Sequence, residues 1–169
     1  MDNFKALWDS DIKRWPWKEK WAKKFSYYHR KAQLSKNPLL SAYYRLIFRN
    51  IRRRNGIEMS YKTKIGKGFK LHHPYNITIN TKAIIGDNVT LFKGVTIGQE
   101  WRGARLGAPT IGNKVWIGPN ASVVGKITIG SDVLIAPNSF VNCDIPDHSI
   151  VFGNPCVIKR RENATEGYI

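Results

Sequence analysis

The sequence predicts a mainly β fold, a parallel β-helix preceded by a short α-helical region. Three observations carry this. An aliphatic residue recurs every six positions, with two interruptions, from Ile65 to Val141. A smaller or β-branched residue recurs four positions after it. Before residue 57 this rhythm is absent, and apolar residues fall at helical intervals instead.

In the N-terminal region, Trp17, Trp21, Phe25 and Tyr28 follow helical spacing, as do Leu40, Tyr43 or Tyr44, Ile47 and Ile51. Asn37 suits the cap of the second helix, Pro38 its first turn, and Asn55-Gly56 its end. Fifteen of the 28 basic residues precede residue 61, among them Arg52, Arg53 and Arg54. A basic, aromatic, amphipathic stretch suits a membrane surface or a polyanion. It equally suits a helical cap that packs its aromatics on the end of the β-helix or on a neighbouring subunit. The sequence leaves both readings open.

The repeat begins at Ile65 and Leu71. It resumes after a two-residue insertion with Ile79, Ile85, Leu91 and Ile97, and again with Ile111, Ile117, Val123, Ile129, Ile135 and Val141. The second series is Ala83, Val89, Val95, Val115, Ala121, Ile127, Val133, Ser139 and Ile145. A six-residue period fits neither an amphipathic helix nor a plain alternating strand. It fits a short strand and a turn, three such units making a triangular coil whose aliphatics stack on those above and below. Gly often follows the aliphatic, as at Gly66, Gly86, Gly112 and Gly130, and Gly or Asn at a corner tolerates positive φ. One coil cannot bury its apolar face alone, so coils must stack. An ordinary β-sandwich with Gly-rich turns does not produce twelve aliphatics in phase. The interruptions, LHHPYNIT at residues 71–78 and QEWRGARLGAPT at 99–110, are where function is expected.

Lys plus Arg outnumber Asp plus Glu by 28 to 12, a net charge of +16. This favours partners carrying phosphates, carboxylates or an anionic membrane surface, without choosing among them. No apolar run approaches the roughly 18 residues of a membrane span. The opening MDNFKALWDSDIKRW has no apolar core and does not read as a signal peptide. Cys143 and Cys156 sit in no metal-like or redox spacing, so a reduced, cytoplasmic protein is expected, with the basic region allowing peripheral contact at the inner face of the membrane.

The segments GKGFKLHHPYNITINTKAIIGDNVTLFKGVTIG, IGNKVWIGPNASVVGKITIG and IPDHSIVFGNPCVIKR resemble the serine acetyltransferase branch of the hexapeptide-repeat acyltransferases, over roughly residues 57 to 160. More closely, the chain resembles short members of that branch that O-acetylate capsular or exopolysaccharides. The expected division is a basic helical region at 1–56, the transferase domain at 57–160 and a tail at 161–169. The resemblance implies a left-handed β-helix, against the usual right-handed crossover rule. It also implies a homotrimer with active sites between subunits, acetyl-CoA as co-substrate, and no metal.

Acetyl transfer to a hydroxyl needs a base, and histidine suits it near neutral pH. Of His29, His72, His73 and His148, the resemblance assigns the base to His73. His29 reads as a solvated or interface residue and His148 as part of a closing turn. A carboxylate usually orients such an imidazole, and Glu58 stands where the family has that acid. His72 stands where the family motif has Asp and is placed with the acceptor. The backbone at Gly98 is the candidate oxyanion donor. The resemblance places CoA against the corners Gly118, Pro119, Ala136 and Pro137, with Trp116 walling the thioester and Lys159, Arg160 and Arg161 near the phosphates.

Leu106, Gly107 and Ala108 replace the charged Asp-Arg-His of the serine-binding loop. A pocket without charged partners desolvates a zwitterion poorly. Trp101, Arg102 and Arg105 instead offer an aromatic surface and cations. The expectation is therefore a saccharide acceptor, of acidic or lipid-linked type. Serine is the alternative, and a non-catalytic scaffold binding a polyanion or membrane is a second one. No nucleic-acid reader motif is present, and no nucleic-acid partner is expected.

Overall fold

The computed structural model describes residues 2–15 and 20–169; Trp17, part of the expected helical series, lies outside them. Among the described residues three helices precede the β region: α1 (Asp2–Lys13), α2 (Lys20–Leu34) and α3 (Pro38–Arg54). The expected punctuation of α3 is present. The Asn37 side chain accepts from the Leu39 and Leu40 N–H groups, Pro38 opens the first turn, and Asn55 ends the helix before Gly56 at φ 59°. α1 was not anticipated.

The β region winds coil by coil. The first coil is β1 (Ile57–Glu58), β2 (Lys64–Ile65) and β3 (Lys70–His72), and the second is β4 (Ile77–Ile79), β5 (Ile84–Ile85) and β6 (Thr90–Phe92). The third is β7 (Thr96–Gly98), β8 (Thr110–Ile111) and β9 (Val115–Ile117), and the fourth is β10 (Ser122–Val124), β11 (Thr128–Ile129) and β12 (Val133–Ile135). The last coil has β13 (Phe140–Val141), a bridge at Ile145 and β14 (Ser149–Phe152). Strands stack in parallel on three sides: side A is β1-β4-β7-β10-β13, side B is β2-β5-β8-β11, and side C is β3-β6-β9-β12-β14. β15 (Val157–Arg160) then turns back antiparallel against β14.

Both repeating series point inward. Every aliphatic of the first series, from Ile65 to Val141 in steps of the repeat, and every residue of the second series is buried, most of them completely. Trp15, Phe25 and Phe48 join the same core, so the helices cap the solenoid rather than stand apart from it. α3 still leaves Leu39, Leu40, Tyr43 and Leu46 exposed. No helix among the described residues is long and apolar enough to cross a membrane.

The corner glycines have a different cause from the one expected. Gly86 and Gly112 do not take positive φ. A Cβ on Gly86 would lie 2.5 Å from the Gly112 carbonyl oxygen, and one on Gly112 would lie 2.7 Å from that of Gly130. Close approach of successive coils excludes a side chain there. The left-handed positions are taken by Asn88, Asn120 and Asn138, whose short polar side chains tolerate that region.

The first coil has no coil before it, and side chains of the helices serve its carbonyls. Arg52 donates to Ile57 O on side A at 3.3 Å. Gln33 donates to Thr63 O at 3.1 Å and Arg30 to Ile65 O at 2.8 Å near side B. Trp15 donates to Phe69 O at 3.2 Å on side C, where Arg14 donates to Gly68 O. Arg30 is fully buried and is held by Asp11 through two bonds of 3.0 and 3.1 Å, while Asp11 also accepts from Ser26 Oγ and Phe69 N. Breaking a buried pair from one side strands a charge, whereas apolar replacement of both partners does not. Asp11→Ala should therefore lower unfolding free energy by about 3–5 kcal/mol, and the Asp11→Leu/Arg30→Met double variant by distinctly less. Urea unfolding of the single and double variants measures the difference.

Candidate active site

His72 ends β3 and His73 opens the corner from side C to side A, with φ 49°. Their rings meet edge to face at 4.4 Å between centroids. His72 pairs in register with Phe92, whose ring lies 4.5 Å away. Continuing the ladder by one residue from Leu91↔Ile117 and Ile117↔Ile135 puts Gly118 and Ala136 in the same row. The row follows the edge of side C and ends, through Phe152, at Val157 of β15, while Lys159 and Arg160 pair with Ile150 and Ser149, two and three residues in from that edge. From β3 to β15 is five strand spacings, about 24 Å.

The corner residues offer this edge an unequal set of groups. The Gly118 N–H donates to Ile135 O at 2.8 Å and the Ala136 N–H to Val151 O at 2.8 Å. Pro119 and Pro137 have no N–H. These four residues therefore offer no free N–H donor, and the Gly118, Pro119 and Ala136 carbonyls themselves accept from Ala121 N, Asn138 N and Ser139 Oγ. Lys159 and Arg160 are exposed.

Trp116 lies one row inward, on the outer face of side C. Its ring lies tilted against Phe92 at 4.8 Å and meets Tyr168 edge to face at 5.1 Å, and it is 9% exposed. Phe92 and Tyr168 complete an aromatic line from the histidine pair into the tail. Neither was singled out from sequence. Phe92 was within reach of the repeat, lying one coil, 20 residues, beyond His72. Tyr168 lies outside the repeat and had no signal.

The tail is pinned by Asp132, which accepts from Ala164 N at 2.9 Å, Thr165 N at 3.0 Å and Thr165 Oγ1 at 2.6 Å. His148 Nδ1 lies 2.9 Å from the same carboxylate and 3.4 Å from Glu162. His148 is thus part of the tail anchorage. His29 is not solvated as expected: it is buried between Phe25 and Phe48, and burial, followed by the charge of Arg30, holds its pKa down at about 3.

The other expected site residues lie elsewhere on the solenoid. Glu58 is exposed in the central row of side A, opposite Thr78. Among the described residues no hydrogen bond or ion pair joins it to His73. Glu58 lines a cavity of about 950 Å³ between α3 and side A, with Arg45, Arg49, Arg52 and Arg53. Burial and then the charge of Arg53 lower the Arg52 pKa, against the charge of Glu58. Gly98, Trp101, Arg102 and Arg105 lie at the corner from side A to side B, where the long loop leaves the coil. That loop is closed by two bonds between Glu100 and Gly107 at 2.9 and 3.0 Å, and Glu100 Oε1 accepts from Trp101 N and Arg102 N. Trp101 is 73% exposed. Within one chain the loop and the histidine pair thus stand at opposite edges of side A.

Comparison with known proteins identifies the solenoid. A family model described as bacterial transferase hexapeptide (six repeats) matches residues 108–143. The solenoid is thus similar to the hexapeptide-repeat transferases. Its similar proteins include the serine acetyltransferase of Helicobacter pylori, 38% identical over 99 residues, which cover 59% of this chain and 58% of that protein. A Staphylococcus aureus serine acetyltransferase is 37% identical over 112 residues, 66% of this chain and 53% of that protein. The chain spans little more than half the length of these two relatives. Among solved structures, serine acetyltransferase isoform 3 of Entamoeba histolytica, in complex with cysteine, superposes with a TM-score of 0.73 at 28% identity, over 98% of this chain and 64% of that one.

These likenesses overturn the saccharide acceptor expected from the loop, and with it the capsule and exopolysaccharide assignment. The relatives at 37–39% identity are serine acetyltransferases. Loss of the charged loop residues bears on where an acceptor's charges are met, and was a weak guide to the acceptor class.

The tail anchorage has a defined pH response. Burial alone would raise the Asp132 pKa, but bonds from Thr165, His148 and Ala164 outweigh it and hold it at about 2. His148 is raised, first by its bond to Asp132 and then by the charges of Glu162, Asp132 and Asp147. The Asp132 contribution is complete above the ordinary carboxylate value of about 3.9 and is lost as pH falls through about 2. The His148 contribution is complete below about 6.5 and is lost as pH rises through its elevated native value. Amide exchange at Ala164 and Thr165 should be slowest, relative to the intrinsic rate, between about pH 4 and 6.5. Asp132→Asn should speed it by about tenfold or more across that window.

Proposed function

We propose that the chain transfers the acetyl group of acetyl-CoA to the hydroxyl of serine. The reading is carried by one observation: the His72–His73 corner shares the side C edge with Phe92, Gly118 and Ala136, in a fold whose similar proteins are serine acetyltransferases.

In this reading His73 accepts the hydroxyl proton as the serine oxygen attacks the thioester carbonyl. The C–O bond forms, the tetrahedral oxyanion collapses, and the C–S bond breaks. His73 then returns the proton to the leaving CoA sulfur, so no proton is gained or lost overall. His73 is exposed at the corner, open to an incoming hydroxyl, with Phe92 and Trp116 as an apolar wall beside the thioester. The pantetheine amides find acceptors at the Gly118 and Ala136 corners, and Lys159 and Arg160 face the phosphates.

The loop and the histidines stand apart within one chain, which supports assembly as a trimer in which one copy's loop meets the next copy's His73. Arg102 and Arg105 then supply the cation for the serine carboxylate in place of the missing loop arginine. Glu58, not bonded to His73 within one chain, is retained as the orienting acid only in that assembly.

Release of free thiol from acetyl-CoA with L-serine tests the activity, and its absence with purified protein would sink the proposal. His73→Ala should lower kcat by about 100-fold or more, and His72→Ala by less. Arg105→Ala should raise KM for serine about tenfold while leaving that for acetyl-CoA unchanged. Near-normal turnover of the His73 variant would remove it as the base.

A further inference from the structure

Cys143 and Cys156 stand 13 residues apart in the sequence, in no metal-like or redox spacing. The fold brings their sulfurs to 3.6 Å. Cys143 follows β13 in the last coil, and Cys156 ends the turn of the β14–β15 hairpin. Both are free thiols, half-buried against the core. A disulfide requires the sulfurs to approach by about 1.5 Å more, to about 2.05 Å. The hairpin turn can supply that movement, because among the described residues its backbone is tied to the coil by the bond from Phe140 N to Gly153 O at 3.1 Å.

We infer that Cys143 and Cys156 are a redox-responsive pair that closes to an intramolecular disulfide and fastens the C-terminal hairpin to the last coil. With a small-molecule disulfide such as oxidised glutathione as oxidant, the Cys156 thiolate attacks one glutathione sulfur and releases one reduced glutathione. Cys143, 3.6 Å away, attacks Cys156 Sγ in the mixed disulfide and releases the second. One S–S bond is broken and one formed, two protein thiols are oxidised, and one glutathione disulfide is reduced to two thiols. The two residues have separate parts: the turn residue meets the oxidant, and the coil residue resolves the adduct. Burial, then the contact with Cys156 and the charge of Asp144, raise the Cys143 pKa, against the charge of Arg105 on the long loop.

The link would close the segment holding β14, the strand on which β15 is built. Oxidation should raise Tm by roughly 5 °C through the entropy of a short closed loop.

The test equilibrates the full chain in glutathione buffers spanning about −150 to −300 mV, followed by alkylation, intact mass measurement and non-reducing peptide mapping. The expected result is loss of two hydrogens from the monomer mass, a Cys143–Cys156 cross-linked peptide, and the rise in Tm. Cys143→Ser should instead retain one glutathione on Cys156, and should show no Tm rise on oxidation. Two alkylatable thiols at every potential would overturn the inference. So would a cross-link joining two copies of the chain, or a Cys143→Ser variant that gains the same Tm rise as the parent.

Discussion

A parallel solenoid satisfies its backbone between coils, so its first and last coils each present a row of groups with no next coil to meet them. Unpaired buried backbone groups are costly, and open edges invite pairing with another chain. In this molecule the first coil's carbonyls are met on all three sides by donors from the helices: Arg52 on side A, Gln33 and Arg30 near side B, Trp15 and Arg14 on side C. The basic character of the N-terminal region follows in part from this. Carbonyls need donors, and arginine carries five of them on a long stem. Asp11 then balances the one guanidinium that is fully buried.

The other end is closed differently. β15 folds back antiparallel on β14, and the tail beyond it is held by a single carboxylate, Asp132, that collects two amides, a hydroxyl and an imidazole. Both closures lean on the outer face of side C. Arg14 reaches Thr90 from one end at 2.8 Å, and Tyr168 covers Trp116 from the other. The strip along the corner, from His72 through Phe92 and Gly118 to Ala136, is what they leave uncovered. The geometry of the candidate site is thus a consequence of how the two ends are finished.

The core was legible because one inward position per side turns directly into a period of six, and all twelve aliphatics of that series are buried. The α3 boundaries were legible because Asn37, Pro38 and Asn55-Gly56 act locally. What escaped was contact across long sequence separation. α1 has no strong local signature, and its role depends on Asp11 and Arg14 reaching strand groups more than 50 residues away. The glycines were recognised but given the wrong reason, since the approach of the next coil is invisible in a single repeat. The approach of Cys143 and Cys156 escaped too, because a hairpin, absent from the period, returns one to the other. His73 was singled out through resemblance, and the acceptor was misdirected by the loss of charged residues from the loop together with the likeness to short polysaccharide-modifying members.

The arrangement of charge bears on how an acceptor is held. The loop that carries Arg102 and Arg105 and the corner that carries His73 are separated by the width of side A, and the stacked strands between them share one hydrogen-bonded sheet. Such a sheet does not fold to bring its edges together, and the loop is closed on itself by Glu100 and Gly107. A carboxylate bound by those arginines and a hydroxyl delivered to His73 in the same event therefore require two copies of the chain. The arginines of α3 occupy a third position, over the central row of side A beside Glu58. They stand apart in the fold from the side C edge and from Lys159 and Arg160 of β15 on that side. The excess positive charge is thus distributed over several separate places in the fold, and the net value alone identifies none of them.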